Sequence, residues 1–591
     1  MVKDGDNPQP VCVMSSREWL AASTVALILA IAFGYPLIRQ LDSPGVFHDW
    51  DFSLQLQWAA YYSIVHFDQL PLWNPWKCGG MPLLGNPQSH FLSPWFLLTL
   101  AFGPVVGLHL EVIGHFIAAW LGTYVLGRTL AMKPMAATVA ACAFSMSSWF
   151  NLHACEGHIV FLAIAYSPWI LALAIIGSSP GAMSASIGAG AMLAMVFLEG
   201  YVPVFIVVVL GTVMIGMAIA RGSMRPIWSL LTVGIFATGF AAIKLIPASE
   251  VLAAHPRPTP FAYVNDWAAI GTALFSRNQD LLRASPNAQG FHELGAYLGL
   301  FCIPAVIGLA SWRRAMPWAF ASAVIIMLAR GATGPQSLWM LIHQLPIGSE
   351  LRLPARFLMI APLTVGVLAG FGFDSILLMR SRAVPVLAAV FLGLAVADEF
   401  LVTVPNLKYA VEWTVHPSVP SAQFRQYRLA PQPTGGYQVV RASMYEIARE
   451  NLGIVACYEY EDNWNTSAIG AEQPGYRGEQ YLLGAGSVLP ALWTPNELTY
   501  DVDVPAPATL VVNQNYDPGW QVASGPGHQI SQSGLLAVTV PAGKSEIVIG
   551  YRPWSVVFGA LITILTAVAA LVIPRVMRTR PPYFGGDDAA I

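Results

Sequence analysis

What most constrains this chain is the recurrence of long apolar stretches. A bilayer-spanning helix needs about 20 mostly apolar residues, and about twelve stretches approach that length. They are Trp19–Ile38, His109–Leu130, Pro134–Phe150, His158–Ile176, Met183–Leu198, Val202–Ala220, Ile227–Ile246, Leu294–Ser311, Pro317–Leu328, Ala355–Leu378, Pro385–Phe400 and Trp554–Ile573. In lipid the backbone has to satisfy its own hydrogen bonds, so such stretches fold as helices. Only 11% of the residues are charged, against about 25% in soluble proteins. The fold class expected is therefore mostly α, a polytopic membrane protein with about 12 transmembrane helices.

Charge orients the helices. With Phe91–Val106 read as a re-entrant or interfacial helix, the clusters Arg128/Lys133, Arg221/Arg225, Arg313/Arg314, Arg380/Arg382 and Arg575/Arg578/Arg580 share one side with Lys3 and Arg17. By the positive-inside rule that side is cytoplasmic. The opening apolar segment lacks a small-residue cleavage site and reads as a retained helix. Residues 1–18 and 576–591 then form cytoplasmic tails. Residues 19–402 form the membrane domain with a large first outer loop, 39–108, and 553–575 the final helix.

From 403 to 552 the composition turns soluble. Alternation marks strands at Leu498–Val504, Thr509–Asn513, Leu535–Val540 and Glu546–Tyr551, separated by Pro/Gly turns such as Asp517-Pro518-Gly519. An antiparallel β-sandwich or jelly roll is expected on the outer face. Net charge is −3, so nothing favours a nucleic-acid partner. GxxxxGK[ST] and HExxH patterns are missing from the sequence. Cys78 and Cys155 are both expected outside, where an oxidising compartment would allow them to pair.

The first outer loop concentrates the polar chemistry. It holds His48-Asp49-Trp50-Asp51-Phe52-Ser53-Leu54-Gln55 and then Pro71-Leu72-Trp73-Asn74-Pro75-Trp76-Lys77-Cys78-Gly79-Gly80-Met81-Pro82. Asp49 and Asp51 are candidate bases for an acceptor hydroxyl; helix capping is the alternative role. Gln55, one turn beyond Asp51, and His48 can orient the same substrate. His153, Glu156 and His158 have donor types that suit a divalent ion, with interfacial hydrogen bonding as the plainer role. Arg352 and Arg356 sit on the side that positive charge avoids. They can fork onto phosphate oxygens, or pair with Glu350 or another outer carboxylate. Lys244 is a weaker phosphate candidate. Glu199 and the His292-Glu293 pair lie at outer helix ends, where they can orient hydroxyls or simply sit at the interface.

The order of these segments resembles the YfhO-like bacterial membrane proteins, which are related to the GT-C glycosyltransferases. The matching runs are LPLWNPWKCGGMPLLGNPQSHFLSPWFLL with a following helix ending GRTL, Glu156-Gly157-His158 with Tyr166-Ser167-Pro168-Trp169, Tyr297-Leu298-Gly299, Leu351–Phe357 and Asn515–Trp520. The resemblance implies a GT-C-like membrane domain in a bacterial inner membrane. It implies transfer of a sugar from a polyprenyl-phosphate carrier to an extracytoplasmic glycan, glycopolymer or lipid, with the active site outside and membrane lipid around it. It implies catalytic acidic residues in the first two outer loops, here Asp49 or Asp51 and Glu156, with His48, Gln55, Glu293, Arg352 and Arg356 around substrate. A Mg or Mn ion at Glu156 and His158 would be the cofactor. A lipid-linked-sugar transporter or flippase and a non-catalytic envelope assembly factor are the rival readings.

Overall fold

The computed structural model describes residues 14–200, 202–220, 223–256, 263–284, 290–345, 348–427, 444–457 and 465–579. The expected cytoplasmic tails lie almost wholly outside these residues. All of the apolar stretches named above are helical over most of their length. Seven helical segments among the described residues are long and apolar enough to cross a membrane: Ser16–Phe33, Pro104–Thr129, Ile159–Gly177, Arg225–Ala254, Pro354–Ile376, Val384–Ala410 and Trp554–Val576. Met183–Leu198, Val202–Met217 and Gly299–Gly308 are shorter apolar helices. The count falls below twelve because several stretches break. Pro134–Ser145 ends at Met146, and the chain restarts as Ser148–Glu156. Phe96–Phe102, within the stretch set apart as re-entrant or interfacial, has seven residues, about 10 Å of helix, too short to cross a core of about 30 Å.

Local chemistry accounts for the helix ends. Ser15 caps the first helix by accepting from the Glu18 amide at 3.2 Å, and Glu18 stands three residues on, as in a capping box. Glu18 also takes Arg128 Nε at 2.6 Å, tying the first helix to the end of Pro104–Thr129. That second helix opens on Pro104 after Gly103, whose φ of 84° turns the chain out of Phe96–Phe102. The final helix, Trp554–Thr579, buries little of its apolar length, with Trp554, Ile564, Leu565 and Leu571 most exposed. An apolar surface of that kind suits lipid.

The soluble segment ends in two four-stranded antiparallel sheets. One runs Gln529–Gln532, Leu535–Val540, Ala508–Asn515, Gln480–Leu483. The other runs Ser487–Trp493, Glu497–Val504, Gly543–Tyr551, Trp520–Ser524. Leu498, Tyr500, Val502, Leu510, Val512, Leu536, Val538 and Ile547 form one core between them. The alternation in the sequence is this inward face. All four expected strands are present, most of them longer at their ends.

The first outer loop proves to be the fastening between the two parts. Trp73 is buried in the sandwich core, and its Nε1 donates to Gln514 Oε1 at 2.9 Å. Asn515 donates to the carbonyls of Cys78 (2.6 Å) and Gly80 (3.0 Å), and Trp76 Nε1 donates to Asn451 at 3.0 Å. Cys78 is bonded to Cys457, 379 residues away. The expected pairing of Cys78 with Cys155 is thereby corrected. Cys155 is buried and unbridged, with its thiol on the Asn406 carbonyl. Trp73 and Trp76, aromatics of a kind common at membrane interfaces, are instead buried in this junction.

Candidate functional site

Helix His48–Phe67 begins at the loop's acidic stretch, so Asp49 and Asp51 point to different sides. Asp51 is fully buried. Its two oxygens accept from the backbone amides of Met444 (2.7 Å) and Tyr445 (2.9 Å) at the start of the short helix Met444–Arg449. This is a cap on a distant segment, and it takes Asp51 away from the cluster around Asp49. Gln55 is likewise buried, exchanging two amide hydrogen bonds with Asn74 at 3.2–3.3 Å. His48 starts the helix, and its side chain lies outside those described.

Asp49 turns the other way. Its Oδ2 lies 2.6 Å from His158 Nε2. The approach depends on Gly157, which ends Ser148–Glu156 with φ 94°. A Cβ at that position would meet the Trp50 amide nitrogen at 2.2 Å. Trp50 Nε1 donates to the carbonyls of Ala154 and Cys155 at 3.1 Å, and Ser53 Oγ donates to Gly157 O at 2.9 Å. These contacts around the turn seat the two outer segments against each other.

The cluster then widens. His158 Nδ1 and His153 Nδ1 are 3.0 Å apart, so one ring donates and the other accepts. His153 Nε2 is buried and makes no hydrogen bond. The turn Phe291–Glu293 brings His292 to 3.4 Å from Glu156 and 3.7 Å from Glu293. Arg356, in the first turn of Pro354–Ile360, grips Glu293 with Nε at 2.8 Å and Nη2 at 2.5 Å. Phe161 is the floor: His158 and His153 stack on it at 4.4 and 4.6 Å, and the Arg356 guanidinium lies 4.9 Å from its centre. Arg356 thus takes Glu293, an outer carboxylate of the kind expected, as a partner. Arg352, four residues upstream, is half-buried, and its Nε makes no hydrogen bond.

Burial and charge set the protonation. Burial pushes the Glu156 carboxyl up to about 8, with Asp49 and Glu293 adding to the rise and His292 opposing it. Burial drives Glu293 the same way, but the Arg356 fork and His292 outweigh it and hold Glu293 well below the usual carboxylate range. His292 is pushed down by burial and lifted further by Glu156, Glu293 and Asp49, for a net rise. Where Glu156 is protonated its lift on His292 disappears, leaving Glu293 and Asp49 to support the imidazolium. Asp49 is the most open member, its side chain 22% exposed against 12% for Glu156 and 7% for Glu293.

His158, His292 and Glu293 each offer a ligand atom, all within 4.8 Å of one another. Those atoms now face Asp49, Glu156 and Arg356. Two imidazoles and a carboxylate suit a zinc-like ion better than Mg or Mn, which favour oxygen. Lys244, the weaker phosphate candidate, is occupied by backbone: its Nζ donates to the carbonyls of Pro87 (3.1 Å) and Ser89. Sequence reading placed His153, Glu156 and His158 on one loop and set Glu293 and Arg356 around the same substrate, but gave no contact between them. Only the Gly157 turn and the 291–293 turn make that contact.

Fold and site define a multi-pass membrane protein that gathers a charged cluster from its inter-helix segments. No family model and no curated protein matches the chain. Among solved structures, it is similar to the mycobacterial arabinofuranosyltransferase AftD at 16% identity and TM-score 0.39, over 76% of this chain and 32% of that one. An AftD mutant, R1389S, gives 17% identity and TM-score 0.41 over 75% and 33%. ArnT from Cupriavidus metallidurans, bound to undecaprenyl phosphate, gives 11% and 0.37 over 74% and 86%. The chain spans about a third of the length of AftD. Superpositions this loose do not define a family, and the site stands on its own residues.

Proposed function

We propose that the protein is a GT-C-type membrane glycosyltransferase that moves a sugar from a polyprenyl-phosphate donor to an extracytoplasmic glycan, glycopolymer or lipid. The carrying observation is the cluster itself. Asp49, Glu156, His158, His292, Glu293 and Arg356 come from four separated segments and meet around the Phe161 ring. Ionisable groups gathered beside membrane helices are costly and tend to serve function. The Cys78–Cys457 bond supports an oxidising, extracytoplasmic side for the neighbouring loop, since such bonds persist in that environment. A bacterial inner membrane fits that arrangement.

In this reading Asp49, the open carboxylate, takes the proton of the acceptor hydroxyl as its oxygen bonds to the anomeric carbon and the bond to the carrier phosphate breaks. His158 orients Asp49 through the 2.6 Å contact. The phosphate leaves against Arg352, whose buried Nε lacks a partner. Arg356 holds Glu293 and, through it, His292. A divalent cation, held by His158, His292 and Glu293 with Glu156 beside them, would supply charge neutralisation of the leaving phosphate.

The test is sugar transfer in proteoliposomes from a synthetic polyprenyl-phosphate sugar to an envelope-glycan acceptor. Wild-type protein should incorporate label, and Asp49→Asn should abolish it while remaining folded. Full incorporation by Asp49→Asn would remove the proposed chemistry. Lipid movement across the bilayer without transfer would favour the flippase reading.

A further inference from the structure

A second polar cluster lies within the helices and shares no residue with the first. Glu111 and His115 stand one turn apart on Pro104–Thr129, and Glu199 closes the end of Met183–Leu198. All three are at most 1% exposed. Each offers one ligand atom, and these atoms lie within 4.8 Å of one another.

The surroundings are organised around those atoms. His115 Nδ1 donates to the Glu111 carbonyl at 2.9 Å, which leaves Nε2 as the nitrogen that would ligate once an ion displaces the proton it shares with Glu199. Nε2 points at Glu199 Oε2, 2.7 Å away. A backbone carbonyl on the far nitrogen is the usual device for orienting a ligating histidine. The other oxygen of Glu199 accepts from Tyr166 Oη (2.5 Å) and Ser93 Oγ (3.0 Å), so that carboxylate is supported from behind.

Three atoms remain unsatisfied. Glu111 Oε2 is buried without a hydrogen bond, and so are both ring nitrogens of His90, a residue only 2% exposed. His90 Nε2 faces Glu111 Oε2 at 3.8 Å, too far for a hydrogen bond. Unpaired buried polar atoms of this kind are strongly disfavoured unless something else sits between them.

We propose that Glu111, His115 and Glu199, with His90 as a fourth donor, form a binding site for a divalent cation of the zinc class. Two imidazole nitrogens and two carboxylate oxygens match the donors and the four-coordinate habit of that ion. Three donors already lie within 4.8 Å of one another, and His90 faces Glu111 from 3.8 Å, near enough to close in as the fourth; with all of them buried in protein, the site is structural. It ties the loop holding His90 to two membrane helices.

The probe is Co²⁺ alone, added to the metal-stripped full chain in detergent micelles. To silence the first cluster, every protein compared carries His158→Gln. A bound ion should then give visible d–d absorption at one tight equivalent. Adding Glu111→Gln should lose that equivalent, and adding His90→Gln should weaken it by about 10–100-fold. Zn²⁺ should raise the thermal unfolding midpoint of the His158→Gln protein and leave that of the His158→Gln, Glu111→Gln double variant unchanged. Folded His158→Gln protein that takes up neither Co²⁺ nor Zn²⁺ would overturn the proposal. So would full retention of the ion by the double variant.

Discussion

His158 Nε2 rests 2.6 Å from Asp49 Oδ2, and the backbone of Gly157 is pressed against that of Trp50 to permit it. The contact fixes an open carboxylate at the edge of a buried charged cluster. General-base catalysis is worth about 10²–10⁴-fold. Asp49→Asn should lower turnover by that order with little change in the donor's KM. His158→Gln, which still donates a hydrogen bond, should fall between Asp49→Asn and wild type. Steady-state transfer kinetics in proteoliposomes read both. Equal activity for all three proteins would dismiss Asp49 as the base.

Asp51→Asn should behave differently. Its carboxylate caps the amides of Met444 and Tyr445, and losing a cap costs about 0.5–2 kcal/mol. The thermal midpoint in detergent should drop, and transfer measured on the folded fraction should stay near wild type. A large loss of turnover with unchanged stability would return Asp51 to the chemistry.

These two aspartates show where sequence reading reaches and where it stops. The spacing of apolar residues located the helices, and period-two alternation located the strands from Leu498 to Tyr551, because each pattern is local. Asp49 and Asp51 looked alike since the helix that separates them starts at His48, inside the loop. The partner of Asp51 lies in the soluble segment, nearly the whole chain away. Trp73 reads as an interfacial aromatic until its ring is seen inside a sandwich built after residue 479. Glu111 and His115 were passed over because they open an apolar run that otherwise reads as a plain span. A pair of titratable residues one turn apart at the head of such a run was the available signal.

The Arg356–Glu293 fork carries a third prediction. Both side chains are under 10% exposed. Removing one partner of a buried pair costs about 3–5 kcal/mol, because the other charge is left uncompensated. Arg356→Met should therefore destabilise strongly, and Arg356→Met combined with Glu293→Met should recover most of the loss. Chemical denaturation of the single and double variants gives the coupling. Additive losses would mean the fork is not the relevant interaction.

The Cys78–Cys457 bond joins the first outer loop to the soluble segment. A native disulfide closing a long loop contributes about 2–5 kcal/mol. Cys78→Ser and Cys457→Ser should lower the unfolding midpoint equally, and the double variant should be no worse than either. That non-additivity is the signature of one shared bond. Reducing agent should shift wild type to the variants' midpoint and leave the variants where they are.

Glu156 gives the protein a pH dependence whose sign can be worked out. Its carboxyl is pushed from its ordinary 4.5 to about 8, chiefly by burial. Between those values the folded state holds a proton that the unfolded chain releases, so this group's contribution is full below about pH 4.5 and is lost as pH rises through about 8. Glu293, held low by the Arg356 fork despite burial, acts oppositely, contributing above about pH 4.5 and failing in acid. Glu156→Gln imitates the protonated carboxyl at every pH. Against wild type it should show no gain near pH 5 and a rising gain toward pH 9, read from denaturant midpoints across that range. If the difference between the two proteins stays flat, Glu156 is ionised in the fold and His292, not burial, sets its charge.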